Sequence, residues 1–233
     1  MYQVINERAE FRMLVILLLS LLLLLIGRIL YVVVNILIKR TQYNKHVCGN
    51  KIKTAVVIGS GGHTAEILRL MRCLNPSVYS PRIYIVASSD SSSETKILSM
   101  EEALANKFNR DLKQAEFKIV KIPRSRSVSQ SYFTSVFTTL HSFCVCVPIM
   151  WALRPKLLLC NGPGTCIPIC IISFLMNVMF ISDTYTVFVE SVCRVNTLSL
   201  SGKILYYVVD EFFVQWKELH EKYNRSKYFG RLV

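Results

Sequence analysis

A single N-terminal transmembrane helix followed by a Rossmann-like α/β domain built on a parallel sheet is the fold this sequence predicts, on three observations. Residues 13–38 are almost wholly apolar. From residue 53 onward, short β-branched runs alternate with segments of helical periodicity. Glycine turns follow the first and fourth of those runs. Strands that alternate with helices build parallel sheets through right-handed crossovers.

A short tail, 1–12, precedes the apolar run. Only Ser20, Gly27, Arg28 and Asn35 interrupt residues 13–38, and a helix crosses a bilayer with about 20 such residues. A secretory signal would carry an apolar stretch of about 7–15 residues and a small-residue cleavage site. This run is longer and is followed by Lys39 and Arg40 with no such site, which favours an uncleaved anchor. Arg28 is expected to reach the interface by snorkelling, or the helix to tilt. Arg8 and Arg12 precede the run, whereas Lys39, Arg40, Lys45, Lys51 and Lys53 follow it. The more basic flank is cytoplasmic, so the domain is expected to face the cytosol.

A polar linker, 39–52, leads into the domain, 53–233. Strands are expected at 53–58, 82–87, 117–122, 156–160, 186–190 and 211–215. Helices are expected at 63–71, 94–108, 132–153 and 167–179, with 88–93 a polar loop. Segment 132–153 is long enough for a second span, but Thr134, Ser135, Thr138, Thr139, His141 and Ser142 favour a helix packed on the sheet. An amphipathic helix resting on a bilayer is the third option.

Hydrophobic residues make up 52% of the 233, and 28 Lys and Arg against 15 Asp and Glu leave a formal charge of +13. Such a charge suits nucleic acid or an anionic membrane surface with phosphates; the apolar helix selects the second, and no nucleic-acid partner is expected. The 8 cysteines include no Cys-x-x-Cys pair, so they read as reduced core thiols. Neither a metal nor a cofactor is expected.

The residues that could carry chemistry gather after strands, where ligands of open α/β sheets bind. Gly59, Ser60, Gly61, Gly62, His63 and Thr64 form a turn between a strand and a helix, where backbone N–H groups and the helix N-terminus suit a phosphate. No Gly-Lys-Ser/Thr follows, so this is not a P-loop, and Thr64 occupies the place of the third glycine of a nicotinamide fingerprint. Asn161, Gly162, Gly164 and Thr165 form a second loop of this kind, and two such loops at one sheet edge can grip two ends of one anion. Arg124 and Arg126 follow the third strand and suit bidentate phosphate contacts. Glu190 ends an apolar strand, a costly place for a carboxylate unless it is paired or used; Arg194 follows it. His63 and Glu190 are the acid/base candidates.

In this order, Ile58-Gly-Ser-Gly-Gly-His-Thr-Ala-Glu66, Pro123-Arg-Ser-Arg126 with Gln130-Ser-Tyr132, Asn161-Gly-Pro-Gly-Thr-Cys166, Val189-Glu-Ser-Val-Cys-Arg-Val195 and Tyr228-Phe-Gly-Arg-Leu-Val233 resemble the membrane-anchoring subunit of the two-part N-acetylglucosaminyltransferase of the dolichol pathway. That resemblance implies the N-terminal half of a GT-B glycosyltransferase, similar to the acceptor-binding half of the bacterial enzyme that makes lipid II. It implies an inverting transfer from UDP-N-acetylglucosamine to dolichyl-diphosphate-N-acetylglucosamine at the cytosolic face of the endoplasmic reticulum membrane. A soluble catalytic subunit that binds the UDP-sugar would be recruited as partner, and this chain would be inactive alone. By the bacterial comparison, His63 falls on the histidine of the acceptor-diphosphate loop and Glu190 on the acid of a His-Glu-Gln-Asn segment, with Val189 and Ser191 replacing its histidine and glutamine. Residues 216–233, which mix Trp216, Tyr223, Tyr228 and Phe229 with charges, have the composition of a partner interface. The competing classes are a membrane scaffold without chemical work and a membrane-tethered nicotinamide oxidoreductase.

Overall fold

Strand β1 (Thr54–Ile58) is buried along its whole length. Ala55 and Val57 face one apolar core, and Val56 and Ile58 face another. An unbroken apolar strand is what a parallel sheet covered on both faces requires. The same alternation recurs in β2 (Arg82–Ala87), where Ile83 and Ile85 join the first core and Tyr84 and Val86 the second. The computed structural model describes residues 2–38, 51–108, 116–125, 130–162 and 164–232. Most of the expected linker therefore lies outside the described residues.

The remaining strands are β3 (Phe117–Ile122), β4 (Leu157–Asn161), β5 (Tyr185–Val189), β6 (Glu211–Val214) and β7 (Lys227–Tyr228). They form one seven-stranded sheet in the order β3-β2-β1-β4-β5-β6-β7. Every neighbouring pair is parallel. The chain winds outward from β1 to β3, then returns to β4 on the other side of β1. That reversal opens a crevice above the carboxyl ends of β1 and β4.

Helices α2 (Gly62–Cys73) and α3 (Ser91–Lys107) cover one face of the sheet. Helices α4 (Tyr132–Leu153), α5 (Cys166–Val178) and α6 (Leu200–Leu205) cover the other, and α7 (Lys217–Lys222) packs against β6 and β7. Expected strands and helices all occur, with shifts at their ends. Helix α3 starts earlier than expected because Asp90 caps it: its carboxylate accepts from the Ser93 amide at 3.2 Å and the Ser93 hydroxyl at 2.7 Å. Serines 91–93, expected in a loop, therefore form the first turn. Helices α6 and α7 and strand β7 were not anticipated.

Helix α4 is packed on α5 with Ser135, Ser142, Cys146, Met150 and Leu153 buried. Its hydroxyls are used. Thr138 donates to the Ser125 carbonyl at 2.7 Å and Ser142 to the Pro123 carbonyl at 3.1 Å, which ties the helix to the loop after β3. Phe133, Val136, Phe137 and Leu140 remain exposed on the outer side. By length and composition, α4 and the N-terminal helix are both apolar enough to cross a membrane.

That N-terminal helix, α1, is continuous over Tyr2–Ile38. Side chains at 10–27 are exposed, whereas Arg28, Ile29, Val32 and Val33 are half-buried. Arg28 neither projects into solvent nor lies unpaired. Its guanidinium donates to the Asn177 and Val178 carbonyls, each at 3.2 Å, and lies 3.7 Å over the Phe180 ring. A cation thus meets carbonyls of the last turn of α5, where the helix dipole is negative.

The buried polar centre of the second core is Glu101, whose carboxylate takes two bonds from Arg82 and one from the Tyr84 hydroxyl. Burial acts to lower the Arg82 value, but the Glu101 carboxylate outweighs it and holds the guanidinium above its ordinary range. Glu101→Gln should therefore destabilise the domain by roughly 3–5 kcal/mol, since it leaves a buried cation without its counter-charge. Removing the exposed Lys51–Glu116 pair should cost less than about 1 kcal/mol. Denaturant unfolding of the two variants, followed by circular dichroism, checks the contrast.

Candidate functional site

Three loops meet at the carboxyl edge of neighbouring strands β1, β4 and β5. The β1 loop turns into α2 at Gly61, whose φ of 66° suits glycine. No side chain caps α2, and Ser60, Gly61 and Gly62 are exposed, so the first amides of the helix open onto the crevice. Thr64, by contrast, is fully buried. Its hydroxyl bonds the Gly59 carbonyl and lies 2.9 Å from the Ser93 hydroxyl, so its work is to brace the turn against α3.

His63 is half-buried in the first turn of α2, with Nδ1 3.0 Å from the Asn161 side-chain oxygen at the end of β4. Asn161 is itself fully buried. Its amide nitrogen donates to Glu66 Oε2 at 2.9 Å and to the Val189 carbonyl at 3.3 Å. The other oxygen of Glu66 accepts from the Ser191 hydroxyl at 2.8 Å. No hydrogen bond among the described residues reaches Nε2 of His63. Gly162 lies under the ring with φ 65°, and a Cβ there would meet His63 Cε1 at 2.3 Å.

Glu190 is placed differently. Its carboxylate is enclosed and accepts from the Ser191 amide at 3.1 Å, the Ser199 amide at 3.0 Å and the Ser199 hydroxyl at 3.0 Å. Burial pushes the carboxyl above its ordinary value, while those bonds and Arg194 oppose the shift. It packs so closely on α6 that a Cβ at Gly202 would lie 2.2 Å from Oε2. The carboxylate shapes its own loop and makes no hydrogen bond to His63.

Of the arginines, Arg124 is half-buried near Asp90. Burial raises the Asp90 value, but bonds from Ser93 and Ser92 and the charge of Arg124 bring it below the usual range. Arg126 lies outside the described residues, and Arg194 is exposed. Gly164 is half-exposed and Thr165 buried at the start of α5. Glu66 was not among the expected site residues. Its signal was the His63-x-x-Glu66 spacing, which places both side chains on one face of a helix. Among the described residues, no group of three or more His, Cys, Asp or Glu is placed to hold a metal ion.

The family described as "Oligosaccharide biosynthesis protein Alg14 like" matches residues 54–232. The UDP-N-acetylglucosamine transferase subunit ALG14 of Rattus norvegicus is 51% identical over 178 residues, which cover 76% of this chain and 82% of the rat protein. Its Homo sapiens namesake is 49% identical over 178 residues, with the same 76% and 82% coverage. Among solved structures, a putative UDP-N-acetylglucosamine 2-epimerase from Listeria monocytogenes superposes with a TM-score of 0.50 at 12% identity, over 75% of this chain and 41% of that one. Acinetobacter baumannii MurG gives a TM-score of 0.49 at 13% identity, over 79% of this chain and 45% of that one. The chain thus spans less than half of each of those structures, and the likeness to the epimerase concerns the fold.

Two glycines of the second loop make opposite demands. Gly162→Ala adds a left-handed strain of about 1–2 kcal/mol and pushes the His63 ring off Asn161. At Gly164 an added Cβ meets nothing within 4 Å, so Gly164→Ala should be nearly neutral. Unfolding midpoints of the two variants should separate them.

Proposed function

The chain belongs to the Alg14-like family of oligosaccharide biosynthesis proteins, and on that premise we propose that it is the membrane-anchored, acceptor-binding subunit of a two-part N-acetylglucosaminyltransferase. The donor is UDP-N-acetylglucosamine, bound mainly by a soluble partner subunit. The acceptor is dolichyl-diphosphate-N-acetylglucosamine, presented at the cytosolic face of the endoplasmic reticulum membrane. Helix α1 supplies the anchor: residues 10–27 amount to about 27 Å of helix at 1.5 Å per residue, close to the roughly 30 Å of a bilayer's hydrocarbon. The C-terminal segment, with Tyr228 and Phe229 exposed, contributes to the partner interface.

The observation that carries this reading is the half-buried His63 ring, bonded through Nδ1 and open at Nε2, beside the uncapped amides of α2. Those amides, with the Asn161–Thr165 loop and Arg124, suit the acceptor diphosphate. Nε2 takes the proton of the acceptor's 4-hydroxyl as that oxygen bonds to the anomeric carbon of the donor. The anomeric carbon–oxygen bond to UDP breaks at the same time, and its electron pair leaves with the diphosphate. One displacement inverts the anomeric configuration. Glu190, occupied by Ser191 and Ser199, holds the loop and takes no proton.

A scaffold without chemistry is the competing reading, and one experiment separates the two. Purified chain should transfer no sugar until the soluble subunit is added, because on this reading the partner supplies most of the donor site. In the assembled complex, His63→Ala should lower turnover about 10²–10⁴-fold, the usual contribution of a general base, while the partner still co-purifies. Near-normal turnover of that complex at saturating acceptor would overturn the assignment of the base, and transfer by the unpartnered chain would overturn the split enzyme.

A further inference from the structure

Glu66 lies one helical turn beyond His63 and touches it only through Asn161. We infer that Glu66 is a positioning residue for His63, setting through the Asn161 amide which ring nitrogen carries the proton; this rests on the proposed role of His63 as base. The Asn161 amide lies between groups of fixed polarity. A carboxylate and a backbone carbonyl can only accept hydrogen bonds. Glu66 Oε2 at 2.9 Å and the Val189 carbonyl at 3.3 Å therefore both require the NH₂ side of the amide. Its oxygen is left facing His63 Nδ1 at 3.0 Å, and an oxygen there requires that Nδ1 bear the hydrogen. In the neutral ring the lone pair then falls on Nε2, the nitrogen that no hydrogen bond among the described residues reaches.

Glu66 is held for this task. It is buried, and the Ser191 hydroxyl donates to its second oxygen at 2.8 Å. The chain of bonds runs from α2 to β4, back to α2, and on to the loop after β5. Each step has one polarity only, so the orientation chosen at Glu66 is transmitted without ambiguity to the imidazole. A glutamine at 66 has both a donor and an acceptor end. With the glutamine NH₂ turned toward Asn161, only the Val189 carbonyl still selects the orientation of the amide, and an amide turned with NH₂ toward His63 places the ring proton on Nε2, where it blocks the base.

The test uses the full complex with its soluble partner and compares wild type, Glu66→Gln, His63→Ala and the double variant. Glu66→Gln should lower kcat roughly 10- to 100-fold, the effect of losing a residue that orients a functional side chain, with acceptor KM unchanged. In the His63→Ala background the same substitution should cost nothing further. Nitrogen-15 NMR of the histidine-labelled full chain should show the neutral His63 ring protonated at Nδ1 in wild type, and a shift toward Nε2 protonation in Glu66→Gln. An equal loss of turnover from Glu66→Gln in both backgrounds would overturn the positioning role and leave a structural one. So would an Nε2-protonated ring in the unsubstituted chain, a measurement that needs no variant to fold. If His63→Ala turns over normally, the assignment of the base fails instead, and the NMR result still decides whether Glu66 sets the tautomer.

Discussion

A buried carboxamide must satisfy two hydrogens and an oxygen at once, and Asn161 does so with groups drawn from separate segments of the chain. Its partners come from the first turn of α2, from Glu66 further along the same helix, and from the end of β5. An unsatisfied buried amide costs about 1–3 kcal/mol, so each of these segments is held to the position that the others define. The crevice at the β1/β4 reversal is therefore a built geometry, in which the glycine turn, the second glycine loop and the Glu190 loop share one register. Gly162 completes it, because only a residue without a Cβ lets the His63 ring settle against the backbone.

Most of the sheet was legible in the sequence because its central strands, β1 and β2 above all, are buried on both faces and read as near-continuous apolar runs. Strands β2 and β3 begin and end where the pattern places them. Element ends were less legible where capping competes with composition. Serines 91–93 resemble a loop until Asp90 is seen to bond Ser93. Helix α6 has six residues and β7 two, too few to develop a period, and both exist through tertiary contacts.

The site was legible as a set of loops but not as a set of roles. Glycines and a histidine after a strand identify the place, because their backbone requirements are local. Which carboxylate is linked to the histidine by hydrogen bonds is a question of long-range contact. Glu190 stands out in the sequence by ending an apolar strand, yet its burial is balanced by Ser199 and by the absence of a side chain at Gly202. Glu66 is inconspicuous on an amphipathic helix, and the bond that matters spans 95 positions of sequence. Thr64, expected in the phosphate-binding turn, is fully buried, with its hydroxyl on the Gly59 carbonyl.

Arg28 gives the N-terminal helix a different mechanical character from that of a leash. Because its guanidinium grips the end of α5 and lies on Phe180, the helix and the domain are joined at a point additional to the chain's own connection. Two points of attachment resist rotation where one does not. In the membrane reading, the domain would diffuse laterally with a constrained attitude, presenting the same edge to the surface each time a lipid drifts past. On the proposed function, the search for a long-chain lipid would then lose its orientational degrees of freedom before any contact is made, and the entropy of finding the right face would be spent during folding instead of at each encounter.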